Sequence, residues 1–175
     1  KWHSGDYNGA LDDFNKLIKE EPNNAYAYFS RASSLASLGK LQEAIDDANK
    51  AIELDPSLAE AYENRGSVKA MMGNQGGALL DFNRAIERDE NFAVAYSNRG
   101  AVKSALGNYQ GALLDLNKAI KLDPNYADAY RIRALTYDRQ GNVTDTCKDL
   151  KKASSLGNDS ATRIIENPKN AGLCK

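Results

Sequence analysis

Residues able to carry acid–base, nucleophilic or metal chemistry are sparse in this chain and poorly placed for it. The single histidine, His3, lies at the extreme start of the 175 residues. No His-based triad or multi-histidine zinc site can therefore be assembled. Glu60 and Glu63 stand one helical turn apart and Asp12 adjoins Asp13, but each pair reads as a solvated acidic face rather than a general acid and base. Gly76-Gly77 lacks the following lysine and Ser/Thr of a phosphate loop and reads as a permissive helix start. We expect no catalytic residues, no cofactor and no metal, and hence no enzyme. What remains is periodic: Arg31, Arg65, Arg99 and Arg133 at intervals of 34, and Asp13, Asp47, Asp81, Asp115 and Asp149 at the same interval.

That period belongs to the whole chain. Gly5, Gly39, Gly73, Gly107 and Gly141 keep it, as do Tyr28, Tyr62, Tyr96 and Tyr130, two series of alanines (Ala10 to Ala112, Ala51 to Ala153), and Pro22, Pro56 and Pro124. A 34-residue period fits one pair of helices that buries its apolar stripe only by stacking on the next pair. Small residues let two helices approach, and a tyrosine fills the gap beside them. Each glycine accepts the left-handed conformation that stops a first helix. Asn23, Ser57, Asn91, Asn125 and Asp159 are expected to cap the next helix. The spacing predicts first helices over 25–38, 59–72, 93–106 and 127–140, second helices over 8–20, 42–54, 76–88, 110–122 and 144–156, and a short capping helix over 160–166 before Pro168.

The unit from Ala93 to Pro124, Ala-Val-Ala-Tyr-Ser-Asn-Arg-Gly-Ala-Val-Lys-Ser-Ala-Leu-Gly-Asn-Tyr-Gln-Gly-Ala-Leu-Leu-Asp-Leu-Asn-Lys-Ala-Ile-Lys-Leu-Asp-Pro, resembles the tetratricopeptide repeat family, and the likeness covers nearly the whole chain. It implies an all-α, right-handed αα superhelix: one solenoid domain over 1–175, with a half repeat (1–24), full repeats at 25–58, 59–92, 93–126 and 127–160, and a cap and tail (161–175). The Asn64-Arg65-Gly66 and Asn98-Arg99-Gly100 triplets, the segment from Cys147 to Gly157 and the terminal Cys174 resemble repeat proteins abundant in cyanobacteria and other bacteria. The chain opens on Lys1 rather than methionine, which reads as a cut or processing boundary.

In the family, function usually lies on the concave surface lined by first helices. The resemblance therefore implies a graded groove. Its first stretch is Tyr26, Phe29, Ser33 and Ser37, followed by Glu60, Glu63, Ser67 and Met71. Val94, Ser97, Ala101 and Ala105 come next, then Asp128, Arg131, Leu135 and Arg139. Asn64 and Asn98 stand where the family's clamp for chaperone C-termini places an asparagine. Its lysine positions hold Phe29 or Glu63 and, later, Val94 or Asp128, and Ser33 or Ser67 replaces its second asparagine. A carboxylate held against water needs that positive charge, so no such clamp is expected. The leading reading is a scaffold that binds a peptide or protein segment in the groove. The alternative is self-association, as a homodimer, through an N-terminal edge where Trp2, Leu11 and Phe14 are exposed, or through the convex surface.

The arginines stand where the family more often has an apolar residue. Each is expected to reach an aspartate on the second helix of the preceding repeat, forming a ladder of Arg31, Arg65, Arg99 and Arg133 with Asp13, Asp47, Asp81 and Asp115. The other reading is that both series are solvated. Lys69 and Lys103, where neighbouring repeats have Leu35 and Tyr137, should lay their stems along a seam with the ammonium in water. Cys147 takes the place of Leu11, Ile45, Leu79 and Leu113, and a tail that doubles back would bring Cys174 to it. The alternatives are a Cys147–Cys174 disulfide, implying export to a periplasm, lumen or exterior, and two free thiols in a cytoplasmic protein. A formal net charge of -1 and a pI near 5.9 give no basic field for nucleic acid. No apolar run is long enough to cross a bilayer.

Overall fold

A computed structural model of the protein describes residues 7–167 and 174, all helix and connecting turn. The helices are α1 (Tyr7–Glu20), α2 (Ala25–Ser37), α3 (Leu41–Leu54), α4 (Ala59–Met71), α5 (Gln75–Arg88), α6 (Ala93–Ala105), α7 (Tyr109–Leu122), α8 (Ala127–Arg139), α9 (Val143–Ser155) and α10 (Asp159–Glu166). Every expected helix is present, with ends shifted by about a residue. Trp2, His3, Gly5 and Pro168 lie outside the described residues. The chain gathers into two compact units, Lys1–Glu90 and Asn91–Lys175.

In the first unit α2 packs on α3 and α4 on α5, α1 leans on α2, and α3 and α2 both meet α4. Leu35, Ala44 and Val68 form its buried centre, with Leu11, Leu41 and Ile45 packed around them. In the second unit the pairs are α6 with α7 and α8 with α9, α8 also touches both α6 and α7, and α10 closes on α9. There Ala134, Leu150, Ala153 and Ala161 are buried beneath Tyr130, Ile164 and Ile165. Leu11, expected on an exposed edge, is half-buried: it packs on the buried centre of the first unit and also lines an open cavity.

The turn inside each pair follows from its residues. Gly73 and Gly107 have φ of 81° and 82°, a region closed to most side chains. In the first of these turns Gly73 N donates to Ala70 O and Asn74 N to Lys69 O, at 3.0 and 2.9 Å, which satisfies carbonyls that the helix end would otherwise orphan. The next residue starts the second helix. Asn74 Oδ1 accepts from Gly77 N at 2.9 Å and Asn108 Oδ1 from Gly111 N at 3.0 Å. Gly77 and Gly111 leave room for those caps, since a Cβ there would come within 2.8 and 2.7 Å of the amide nitrogens.

The caps between pairs correct the sequence reading. The residues at 57 and 125 do not cap a helix. Ser57 N and Oγ both donate to Asp55 Oδ1, and Asn125 N donates to Asp123 Oδ1, so these residues close the Asp-Pro turn. The cap position falls one residue later, at Asn24, Leu58, Phe92 and Tyr126, and of these only Asn24 caps with its side chain. Likewise Asn158, not Asp159, caps α10. Apolar residues take the cap position in the middle repeats, so the tertiary packing of each pair outweighs a local cap worth about 1 kcal/mol.

Inside each pair, close approach is set by matched sizes. A Cβ on Gly66 would lie 2.9 Å from the Phe82 ring, and one on Gly100 would lie 2.9 Å from Leu116 Cγ and 3.2 Å from Ala112 O. In the first repeat the same two positions hold Ala32 and Ala48, both fully buried. In the second and third repeats a large residue on one helix is thus accommodated by a glycine on the other, whereas in the fourth Ala134 and Leu150 are buried together. Gly100→Ala should lower stability by about 1 kcal/mol, the overpacking cost exceeding the helix-propensity gain. In urea denaturation this loss should shrink when Leu116 is also cut to alanine; strictly additive losses would contradict the size matching.

Candidate functional site

The periodic charges meet inside the helix pairs. Arg31 donates from Nε and Nη2 to Asp47 Oδ2 and Oδ1 at 2.6 and 2.7 Å. Arg65 does the same to Asp81 at 2.9 and 2.6 Å, Arg99 to Asp115 at 2.8 and 2.7 Å, and Arg133 to Asp149 at 2.6 and 2.8 Å. The expected register is corrected. Each arginine takes the aspartate of its own repeat, and Asp13, the intended partner of Arg31, is exposed. The preceding repeat is reached through an asparagine: Arg31 Nη1 donates to Asn15, Arg65 Nη1 to Asn49 and Arg133 Nη1 to Asn117, at 2.8, 2.7 and 2.6 Å. Sequence reasoning missed these asparagines, although they keep the same 34-residue interval.

A planar guanidinium suits this junction because one face remains free while its edge bonds the carboxylate. That face lies over the repeat's tyrosine, at 5.6 Å for Arg31 on Tyr28, 5.6 Å for Arg65 on Tyr62, 5.4 Å for Arg99 on Tyr96 and 5.5 Å for Arg133 on Tyr130. The hydrogen bonds they donate to Asp47 and Asp115 hold Arg31 and Arg99 above the ordinary guanidinium pKa against burial. Burial pulls hardest on Arg133, but its bonds to Asp149 and that charge outweigh it, so its pKa too is raised. Arg31, Arg99 and Arg133 are therefore held in the charged form.

Lys69 and Lys103 also depart from expectation. Their ammonium groups do not run out to water. Lys69 Nζ lies 2.7 Å from Asp81 Oδ2 and Lys103 Nζ 2.8 Å from Asp115 Oδ2, so two of the four carboxylates hold a lysine as well as an arginine.

The expected groove residues divide between the two units. In the first, Tyr26 is 61% exposed and tilts against Phe29 with ring centroids 5.5 Å apart. Asn64 Nδ2 donates to Ser33 Oγ at 2.8 Å, and Ser67 Oγ donates to Glu63 Oε1 at 2.7 Å. Glu60 is exposed. Asn64 is thus engaged within the protein, and its Oδ1 is buried without a hydrogen-bond partner. In the second unit Val94 is half-buried, Asp128 is exposed and Ser97, expected in the groove, is fully buried.

Between α6 and α8 a pocket of about 340 Å³ opens, lined by Asn98, Ala101 and Ala105 on one side and Arg131, Leu135 and Arg139 on the other. Its chemistry is two guanidiniums around an apolar floor. Arg131 Nε donates to Asp128 Oδ1 and Arg139 Nη1 to Ser104 Oγ, each at 3.0 Å. Asn158 Nδ2 also donates to Asp128 Oδ1 at 3.0 Å, tying the start of α10 to this rim. A guanidinium has five N–H donors, so both arginines keep donors for a ligand.

At the end of the second unit Cys147 is bonded to Cys174, with Cα atoms 5.1 Å apart. Cys174 also packs on the Ala134–Leu150 core. No free cysteine remains among the described residues, no group of metal-binding side chains occurs among them, and no helix there is long and apolar enough to cross a membrane.

Three sequence profiles, each described as tetratricopeptide repeat, match residues 1–59, 93–126 and 116–148. No curated protein matches the chain. Among solved structures the chain is similar to MamA, at 29% identity over 93% of this chain and 95% of that one, with a TM-score of 0.71. It is also similar to the first TPR of Spaghetti (RPAP3) bound to the HSP90 peptide SRMEEVD, at 26% identity over 67% of this chain and 93% of that one, with a TM-score of 0.63. The thermophilic TPR protein TTC0263 of Thermus thermophilus shares the fold, with a TM-score of 0.79 and 21% identity over 98% of this chain and 89% of that one.

The charge geometry ranks three substitutions. Arg133→Ala should cost about 3 kcal/mol, because the position that Lys69 and Lys103 hold in their repeats is Tyr137 here and, among the described residues, no second cation is paired with Asp149. Arg65→Ala should cost about 2 kcal/mol, because Lys69 still meets Asp81. Lys69→Met, which removes the second cation from Asp81, should cost about 1 kcal/mol. Chemical denaturation of the three variants checks the order, and an unchanged midpoint for Arg133→Ala would contradict it.

Proposed function

Because the chain belongs to the tetratricopeptide repeat family, we propose that it is a non-enzymatic protein-interaction scaffold whose α6–α8 face holds an extended or helical segment of a partner protein. The observation that supports this most is the pocket of about 340 Å³ between those helices, with Arg131 and Arg139 beside the apolar Ala101 and Leu135. Small residues on α6 leave room for a side chain, and the guanidiniums favour an acidic one next to an apolar neighbour. The solved RPAP3 repeat that holds a peptide carrying two glutamates offers a parallel. The chaperone-tail clamp remains disfavoured, since Phe29, Glu63, Val94 and Asp128 occupy its cation positions and Asn64 is tied to Ser33.

Tyr26 and Phe29, with Ser33, Glu60, Glu63 and Asn64 nearby in sequence register, form a second, more aromatic face in the first unit, suited to an apolar anchor. Self-association is the alternative. It has less support at the N-terminal edge, because Leu11 packs into its own core. The disulfide supports an oxidising compartment and hence an exported protein.

Two outcomes test this reading. Selection from a random peptide library should enrich Asp or Glu beside apolar residues, and the Arg131→Ala, Arg139→Ala double change should weaken the selected peptides about tenfold. Unchanged affinity, or enrichment of basic peptides, would contradict it. Thiol titration of the denatured, unreduced protein should find no free thiol. Reduction should then destabilise the C-terminal end by about 3.5 kcal/mol, the chain-entropy figure for a loop of that length.

A further inference from the structure

The first repeat differs from the next two around one carboxylate. In the second and third repeats the aspartate that takes the arginine also takes a lysine ammonium, Lys69 on Asp81 and Lys103 on Asp115, at 2.7 and 2.8 Å. In the first repeat Leu35 stands at that position. Asp47 keeps both bonds from Arg31, and beside it a cavity of about 330 Å³ opens. Leu11 and Leu35 form its apolar wall, and Glu43, Asp46 and Asp47 form its acidic one. Glu43 and Asp46 occupy the positions held by Gly77 and Leu80 in the second repeat and by Gly111 and Leu114 in the third. Around the same carboxylate, the first repeat has therefore lost one positive side chain and gained two negative ones. Lys40 at the rim offsets part of this, 3.7 Å from Glu43 and half exposed.

We propose that this cavity binds a lysine side chain of a partner protein. The ammonium takes the place that Lys69 and Lys103 take in their own repeats, against Asp47 with Asp46 and Glu43 around it, and the four-carbon stem lies on Leu11 and Leu35. The sister repeats supply the evidence for the ligand's chemistry, since each equivalent carboxylate already holds an ammonium there. A free diamine fits less well, because its second ammonium would be brought toward Arg31 and Lys40, which line the same cavity. This site shares no residue with the α6–α8 pocket, so the two readings stand or fall separately.

The test is a titration of the whole protein, carrying ¹³C-labelled leucine methyls, with the peptide acetyl-Ala-Ala-Lys-Ala-Ala-amide. The Leu11 and Leu35 methyl signals should shift saturably. Replacing the peptide lysine by norleucine should weaken binding at least about tenfold, and so should the Glu43→Gln, Asp46→Asn double change in the protein. A Leu35→Lys variant, which fills the cavity from within, should lose the response at Leu11 while its Leu54 signal, in the same unit but away from the cavity, stays in place as a check on folding. No shift with the lysine peptide, equal shifts with norleucine, a response that survives in Leu35→Lys, or cadaverine binding as tightly as the peptide would each overturn the proposal.

Discussion

Each helix pair is organised around one guanidinium. It bonds an aspartate edge-on, reaches an asparagine of the repeat before it where that contact is described, and lies with its face over a tyrosine. An ion pair whose carboxylate is this deeply buried is costly unless its hydrogen bonds are satisfied and its partner is fixed. Bidentate geometry meets both conditions, and it sets the rotation and height of one helix against the other, which the surrounding alanines alone would leave loosely specified. The aspartates are nearly inaccessible, with side chains 10%, 4%, 7% and 3% exposed for Asp47, Asp81, Asp115 and Asp149. An error of register would therefore strand a buried carboxylate, a penalty that excludes neighbouring registers more sharply than apolar packing does.

With the seams held from inside, the residues between them are free to vary. The position at 35, 69, 103 and 137 is leucine, lysine, lysine and tyrosine, and each choice changes the surroundings of the same carboxylate. The position at 32, 66, 100 and 134 is alanine or glycine, and it is glycine where Phe82 or Leu116 presses close. On the first helices, facing residues run from aromatic at Tyr26 and Phe29 to arginine at 131 and 139. A repeat scaffold changes its ligand in this way, by altering side chains on a frame whose own contacts stay constant.

Much of this is legible in the sequence, because the signals are local and repeated. The glycine at the end of each first helix needs only its own backbone conformation, and it places all the pairs to within about a residue. The disulfide is one of the two alternatives that the sequence leaves open, since Cys147 stands where other repeats have a seam-facing leucine or isoleucine and either a bond or a buried thiol suits that place. What sequence reasoning misses depends on geometry between helices. Aspartates recur once per repeat, so a 34-residue period cannot say whether Arg65 reaches the aspartate before it or after it; only the angle between α4 and α5 decides for Asp81. The same ambiguity hides the partner of Lys69. The caps are displaced by one residue because Ser57 and Asn125 are good cap types that bond instead to the aspartate two positions earlier. The α6–α8 pocket is legible as a face, whereas the burial of Ser97 depends on how neighbouring helices lean.

Docking of partners on the face of α6 and α8, rather than on the outer surface of the second helices, is tested most directly by adding a selected acidic peptide to protein labelled at isoleucine and leucine methyls. Ile132 and Leu135, which line the pocket, should shift first and saturate together, with the exposed Leu80 and Leu114 unmoved. Saturable shifts at Leu80 or Leu114 with Ile132 and Leu135 unchanged would contradict it.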